Sequence, residues 1–338
     1  MRKLHVELGK RGYDITVLSG ALALAGEVFD LNRKVFILTD SGVPREYSEK
    51  IKSAASDAII YTVPMGEGAK SFAVLENVLT SMLEFNMGRG DALLAVGGGV
   101  VGDLGGFAAS VYMRGIDFYS VPTTLLSQVD SSIGGKTAVN LGAVKNTVGA
   151  FHQPRGVLVD TDTLDTLPKR QIAGGLAEVI KMAATFDEEL FERLEAEGFN
   201  ENNREEIITA ALKIKKGVVE EDECERGLRK VLNFGHTLGH GIESSVGLGT
   251  LLHGECVALG MVPVAFGEAK ERIIALSKNL GLPMDYKYDF GEALAPVVHD
   301  KKQQGGMLSV ILVDKIGSYR MEKMSIAEFC ALVNGENI

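Results

Sequence analysis

Cysteine is scarce in this chain: three residues, Cys224, Cys256 and Cys330, stand in dissimilar settings with no C-x-x-C pair among them. An odd number without paired spacing excludes a disulfide framework and suits a reducing compartment, so a cytoplasmic location is expected. Positive charge is also short, since 35 Lys and Arg face 45 Asp and Glu for a net charge of −10. Binding to a phosphate backbone needs a basic face, so no nucleic-acid partner is expected, although a small anion needs only a local pocket. Long apolar runs are missing too. The longest, CVALGMVPVAFG, is too short to span a bilayer and contains Pro263. The opening MRKLHVELGKRGYDITVLSG has no apolar core of signal-peptide length, so no membrane association is expected. Repeats and low-complexity tracts are likewise absent from an ordinary globular composition.

Glycine, by contrast, is plentiful: 40 of 338 residues, well above the usual ~7%. The glycines gather in short motifs, which points to close backbone approaches rather than flexible linkers. The chain is long for one hydrophobic core, since cores split beyond about 250–300 residues. Two different periods divide it. In the first half, YDITVLSG, KVFILTD, DAIIYTVP, DALLAVGGG, IDFYSVP and GVLVDTD each read as a buried strand stopped by turn chemistry. Amphipathic helices such as SFAVLENVLTSMLEFN lie between them, and KLHVEL reads as an edge strand or hairpin. That alternation implies an α/β domain with a parallel sheet covered by helices. After TLPKRQIAGG the spacing turns helical, and only LSVILVDKIG looks extended. The expected domains are 1–165, α/β, and 166–338, mostly α-helical.

DALLAVGGGVVGDLGGFAAS sets Gly97, Gly99 and Gly102 in G-x-G-x-x-G register, after a strand and opening a helix. Glycines there let a pyrophosphate approach the backbone at a helix N-terminus, where free N–H groups favour anions. Alone the pattern also fits a plain tight turn. It lies on a late strand, and no acid ends the next one, but Asp40 ends KVFILTD, where a carboxylate could accept from ribose hydroxyls. A dinucleotide held outside the usual strand order is the favoured reading. DSSIGGKTAVN resembles a phosphate loop until it is counted: Asp130 stands where a Walker motif needs glycine, which excludes an ATPase. Asp130, Lys136, Lys145 and Asn146, with Arg114 upstream, then read as polar groups of a pocket in an otherwise apolar, glycine-rich segment.

Three of the six histidines, His236, His240 and His253, fall within RKVLNFGHTLGHGIESSVGLGTLLHGE. Metal site, proton relay and coincidence are all open on spacing alone. His236 and His240 share a helical face at i, i+4, but Thr237 replaces the glutamate of an H-E-x-x-H protease. Arg229, Asn233 and Glu243 flank the cluster. Glu178, an acid in the apolar helix GGLAEVIKMA with Lys181 one turn on, is a candidate third ligand, since two histidines and a carboxylate make a catalytic zinc set.

Together, GGGVVGDLGGFAASVYMRG, VPTTLLSQVDSSIGGKTAVN, LAEVIK, GLRKVLNFGHTLGHGIE and LHGE resemble the 3-dehydroquinate synthase family of sugar phosphate cyclases. The resemblance runs from GEGAKS through HDKK with the motifs in order. It implies a Rossmann-like NAD domain followed by a mostly α-helical metal-binding domain. It implies that Glu178, His236 and His253 hold one divalent metal, zinc or cobalt, and that His240 lines the substrate pocket instead. NAD would contact Asp40, Glu67, Lys70, Gly98, Gly99, Val100, Asp103, Thr123, Thr124, Lys136, Lys145, Thr163 and Thr166. The anions of a sugar phosphate would meet Arg114, Lys136, Asn146, Lys215, Arg229, Asn233, His240 and Lys301 or Lys302, with Asp130 and Lys181 beside the chemistry. The arginine matching Arg114 reaches across a dimer in the family, which implies a homodimer.

The implied reaction converts 3-deoxy-D-arabino-heptulosonate 7-phosphate to 3-dehydroquinate and phosphate, in the shikimate pathway of aromatic amino acid biosynthesis. It proceeds by transient oxidation, β-elimination, re-reduction and intramolecular aldol closure. A metal- and NAD-dependent polyol dehydrogenase shares the two-domain plan, but has no use for the anion-binding set of Lys136, Asn146, Lys215 and Arg229. A sibling cyclase acting on another sugar phosphate is the nearer alternative.

Overall fold

Alternate residues of a strand point to opposite faces, so a strand buried on both faces reads as an unbroken apolar run. KVFILTD shows the consequence: Phe36 and Leu38 enter one core with Leu93, Leu104 and Met82, while Val35 and Ile37 enter another with Phe29, Ile51 and Leu94. Each such side chain contributes roughly 1.5–3 kcal/mol by leaving water. The structure, a computed structural model, describes residues 1–335 except 143, 248 and 303–306, and only the backbone of 298–302.

Contacts divide the chain into two units, Met1–Leu167 and Pro168–Ile338. The first begins with β1 (Arg2–Val6), β2 (Tyr13–Leu18), α1 (Ala25–Val28), β3 (Lys34–Asp40), α2 (Arg45–Ala54), β4 (Asp57–Val63) and α3 (Phe72–Glu84). It continues through β5 (Ala92–Gly97), α4 (Gly99–Val111), β6 (Asp117–Pro122), β7 (Lys136–Leu141), β8 (Val144–Phe151) and β9 (Gly156–Asp160). Seven strands form one sheet in the order β1-β2-β9-β6-β5-β3-β4, parallel except for the β1–β2 hairpin. The last strand of the unit is thus inserted between β2 and β6.

The segment from Ser127 to Phe151 holds regular elements that the sequence reading did not foresee. Ser127–Ser131 is a π-helical turn, and Lys136–Leu141 is β7, paired antiparallel with β8 in a sheet of its own. β8 is half-exposed or exposed at every described position, so no alternation of apolar and polar residues announced it.

The second unit contains α5 (Lys169–Phe186), α6 (Glu188–Glu197), α7 (Arg204–Glu221), α8 (His236–Ser245), α9 (His253–Met261) and α10 (Gly267–Asn279). After α11 (Phe290–Lys302) come β10 (Met307–Leu312), β11 (Arg320–Ser325) and α12 (Ile326–Val333). β10 is the extended run expected from sequence, and β11 is a second strand that its charged residues RMEKMS concealed. The apolar stretch through α5 and α6 breaks at Asp187, which caps α6 by accepting from the Leu190 N–H at 2.9 Å. No helix among the described residues is long and apolar enough to cross a membrane.

One ion-pair cluster ties the start of β6 to its neighbours. Asp117 accepts from Arg33 Nη1 at 2.7 Å and from Arg155 Nε at 2.7 Å. Burial works to raise the Asp117 pKa, but the two guanidiniums outweigh it and hold the carboxyl below its ordinary value. A depressed folded-state pKa gives stability that is present above the unfolded value of ~3.9 and lost as pH falls through the folded one. Asp117→Asn is expected to cost about 1–2 kcal/mol near neutral pH. The difference should shrink once Asp117 itself is protonated. Denaturant titrations near neutral pH and in acid check this, and an equal deficit in both would count against it.

Candidate active site

In the first unit, β5 delivers the chain to Gly98, the cap residue of α4. No side chain caps this helix, so its first N–H groups are available to an anion. A Cβ on Gly98 would lie 3.0 Å from Thr124 Cγ2, a tight contact that would push the turn after β6 outward. Thr123 follows through its own N–H, which donates to Gly97 O at 3.0 Å. This glycine cradle, with Val100 half-exposed beside it, fits a dinucleotide phosphate.

A polar network sits against that cradle. The buried Lys70 ammonium donates to Asp103 Oδ2 at 2.6 Å and to Asn146 Oδ1, with Glu67 Oε1 at 3.8 Å. Burial pushes the Asp103 carboxyl above its ordinary value, against the pull of Lys70. Asn140, which sequence reasoning did not single out, completes the network. Its Nδ2 donates to Glu67 Oε1 at 2.9 Å, its Oδ1 accepts from the Asn146 N–H at 2.8 Å, and its own N–H donates to Lys70 O at 2.8 Å. Four expected residues, Glu67, Lys70, Asp103 and Asn146, are therefore brought together.

The other expected residues of this unit are placed as follows. Asp40 ends β3 and accepts from the Gly42 N–H at 2.7 Å. Thr124 exchanges hydrogen bonds with Ser127, and Thr163 is buried between Gln128 Nε2 and Asp160 O. Thr166 shares a hydrogen bond with Tyr47 at 2.9 Å. Lys136 opens β7 and Lys145 follows the hairpin turn, both exposed, while Asp130 is half-buried in the π-helical turn. Arg114 is exposed in a left-handed turn, at φ 70° between Met113 at 50° and Gly115 at 118°.

In the second unit the histidines converge. Donor nitrogens of His236, His240 and His253 lie within 4.8 Å of one another. The Glu178 carboxylate, supplied by α5, reaches two of them: its Oε1 is 3.6 Å from His236 Nε2 and 3.6 Å from His253 Nε2. Two donors about 2.0–2.2 Å from a shared ion at a tetrahedral angle stand about that far apart. Glu178 is 1% exposed and, among the described residues, neither carboxylate oxygen has a hydrogen-bond partner. The Lys181 ammonium touches Oε2 ionically, without hydrogen-bond alignment. A buried carboxylate with spare lone pairs facing imidazole nitrogens fits a divalent cation.

The far ring nitrogens are engaged in a matching way. His236 Nδ1 faces Phe234 O at 3.2 Å, and His253 Nδ1 faces Glu243 Oε2 at 3.1 Å. Burial, then the charges of Lys181 and the other histidines, push the His236 pKa well below its ordinary value, which keeps the ring neutral and its Nε2 lone pair available. For His253 burial acts in the same direction, but Glu243 and Glu178 outweigh it and the pKa is raised. His240, one turn along α8, is exposed, with its ring centroid 5.4 Å from that of His236.

The helix carrying His253 is locked to the helix carrying Glu178. Arg170 on α5 donates through Nε and Nη2 to both oxygens of buried Glu255, at 2.7 Å each. Glu255 Oε2 also accepts from the Leu252 N–H at the start of α9. Next to this clamp the backbones touch: a Cβ on Gly254 would lie 1.9 Å from Gly174 O. Sequence reasoning missed Arg170 and Glu255, although the quoted LHGE motif contains the latter.

Of the remaining expected residues, Lys215 is buried on α7. Buried Arg229 donates to Glu223 O at 2.5 Å, and Asn233 Nδ2 donates to Glu225 Oε1 at 2.7 Å. Lys301 and Lys302 close α11, where the side chains lie outside the described residues.

Known proteins resemble the chain along its whole length. Residues 60–174 match the family described as 3-dehydroquinate synthase N-terminal, and residues 175–303 its C-terminal counterpart. The 3-dehydroquinate synthase of Enterococcus faecalis is 42% identical over 99% of this chain and 99% of its own. Among solved structures, 2-deoxy-scyllo-inosose synthase in complex with carbaglucose-6-phosphate, NAD+ and Co2+ superposes with a TM-score of 0.89 at 25% identity, over 99% of this chain and 100% of that one. The 2-epi-5-epi-valiolone synthase of Streptomyces hygroscopicus, with NAD+ and Zn2+ bound, gives 0.86 at 27% identity over 96% of each chain. The chain belongs to the 3-dehydroquinate synthase family.

Proposed function

We propose that the protein converts 3-deoxy-D-arabino-heptulosonate 7-phosphate to 3-dehydroquinate and inorganic phosphate, as a phosphorus–oxygen lyase of aromatic amino acid biosynthesis. The observation that carries the reading is the convergence of the Glu178 carboxylate on His236 and His253, in a chain 42% identical along its length to a 3-dehydroquinate synthase. Bound NAD supplies a reversible hydride acceptor, and bound zinc or cobalt supplies a Lewis acid that acidifies a substrate hydroxyl.

The chain's own residues do the holding. Glu178, His236 and His253 bind the metal, each imidazole kept in register through its far nitrogen. The cradle at Gly98 and Gly99 takes the nucleotide phosphates, and Asp40, Glu67, Lys70, Asp103, Thr123 and Thr124 frame the rest of the cofactor. Lys215 and Arg229 place positive charge in a buried setting, where it acts on a carboxylate or phosphate more strongly than in water. In the second unit Asn233 adds a polar group beside them; in the first, Lys136, Asn146 and Arg114 offer groups for the substrate's anions, with Asp130 and Lys145 near the hairpin. Lys181 keeps a positive charge against Glu178, and His240, exposed beside the metal-binding rings, moves a proton. Positioning of one flexible substrate by fixed groups accounts for much of the rate. The exposed Arg114 turn supports a homodimer in which this arginine serves the neighbouring copy. Three free cysteines support a cytoplasmic location.

Purified protein with the heptulosonate phosphate, NAD+ and zinc is expected to release phosphate without lasting absorbance from reduced nicotinamide. Omitting either cofactor should stop release. Lasting reduced nicotinamide without phosphate would identify a dehydrogenase, and turnover of only sedoheptulose 7-phosphate or glucose 6-phosphate would identify a sibling cyclase.

A further inference from the structure

His253 is the least confined member of the metal set. It opens α9 directly after its cap residue Leu252, and its side chain is 31% exposed where that of His236 is 14%. Packing alone therefore fixes its ring less firmly than that of His236. Its two nitrogens face two carboxylates, Nε2 toward Glu178 Oε1 at 3.6 Å and Nδ1 toward Glu243 Oε2 at 3.1 Å. Glu255, the other acid near this turn, is occupied by Arg170 and the Leu252 N–H, so it anchors backbone rather than ring. Glu243 lies seven residues after His236 on the same helix, and that spacing returns it to the face that carries the histidines.

We infer that Glu243 is the positioning residue for the metal: it fixes the tautomer and orientation of His253. His236 needs no such acid, because its Nδ1 is satisfied by the Phe234 carbonyl in a more enclosed position.

The inference rests on His253 being a ligand, and the test separates the two claims. Zinc affinity would be measured by competition with a chromogenic chelator, cobalt binding by visible absorption, and thermal unfolding with and without zinc. Glu243→Ala is expected to weaken zinc by about 10–100-fold, to alter the cobalt spectrum, and to leave the melting point of the metal-free protein unchanged. Glu243→Gln keeps an acceptor but no charge and should fall between alanine and the parent. In a His253→Ala background, Glu243→Ala should cost little more affinity. Parental zinc affinity in Glu243→Ala, with affinity lost in His253→Ala, would overturn the role of Glu243 alone. So would a fall in melting point as large without metal as with it. Parental affinity in His253→Ala would overturn the ligand assignment and this inference together.

Discussion

His236→Ala is expected to lose zinc and, with it, about 1,000-fold or more in kcat/KM, a loss of roughly 4 kcal/mol in transition-state stabilisation. His240→Ala is expected to keep zinc and lose about 100- to 10,000-fold in kcat, the range for a residue acting as acid or base. The two rings sit one turn apart on α8 and their centroids are 5.4 Å apart, so proximity does not distinguish them. What does is the direction of the lone pairs. His236 Nε2 faces Glu178 Oε1 at 3.6 Å, its Nδ1 is held by Phe234 O, and its low pKa keeps it neutral. His240 is exposed, as a group that must exchange protons would be. Metal analysis after dialysis, paired with steady-state kinetics, reads both effects. Zinc lost from His240→Ala and retained by His236→Ala would reverse the roles.

Gly254→Ala should do comparable damage without touching a ligand. The added methyl would stand 1.9 Å from Gly174 O and 2.7 Å from Gly174 C, so α5 and α9 must move apart. Neither atom is a flexible side-chain end that could swing away. Forcing a close backbone contact open costs about 3 kcal/mol or more, at the upper end of what overpacking does. The displacement falls where it matters, because Gly174 precedes Glu178 by one helical turn and Gly254 adjoins His253. A shift of about 1 Å between positioned groups costs on the order of 100-fold in rate. Gly217→Ala in α7 is the control: among the described residues nothing outside its own helix backbone lies within 4 Å of the added methyl, and it should stabilise by up to about 1 kcal/mol. Chemical denaturation and zinc titration of both variants check this. A Gly254→Ala protein as stable and as zinc-avid as the parent would show the contact to be slack.

The sequence was most legible where one physical requirement dominated. Strands buried on both faces cannot hide, and all six apolar runs of the first half became parallel strands, although β4 proved to be a half-exposed edge strand. β8 and β11 were invisible for the converse reason: Val144–Phe151 is buried on neither face, and Arg320–Ser325 carries charge in an edge strand. At the site, composition marked the histidine stretch and Glu178 stood out as an acid in an apolar helix. The spacing suggested pairing His236 with His240, because neighbours on one helix are all that spacing can report. That Glu178 instead meets His236 and His253 depends on how α5, α8 and α9 pack, and that rests on backbone contacts at glycines. Arg170, Glu255 and Asn140 were missed because the contacts that matter, Arg170 with Glu255 and Asn140 with Glu67, join residues 85 and 73 apart in sequence, and nothing local marks an arginine or an amide as a clamp.

The place of β9 has a consequence for how the first unit is made. Strands β1 and β2 leave the ribosome first, and β3 to β6 can assemble as a second block, yet the two blocks share no edge until Gly156–Asp160 arrives between them. Until then the nascent chain presents two unpaired parallel edges, on β2 and on β6, each backed by apolar side chains and open to pairing with another chain. Closure depends on the pairing of Asp14 with Gly156, a contact so remote in sequence that it slows folding. Synthesis that pauses or stops before that strand is therefore expected to yield aggregate rather than a smaller soluble domain. Molecular chaperones would be needed most in the interval before this unit is complete.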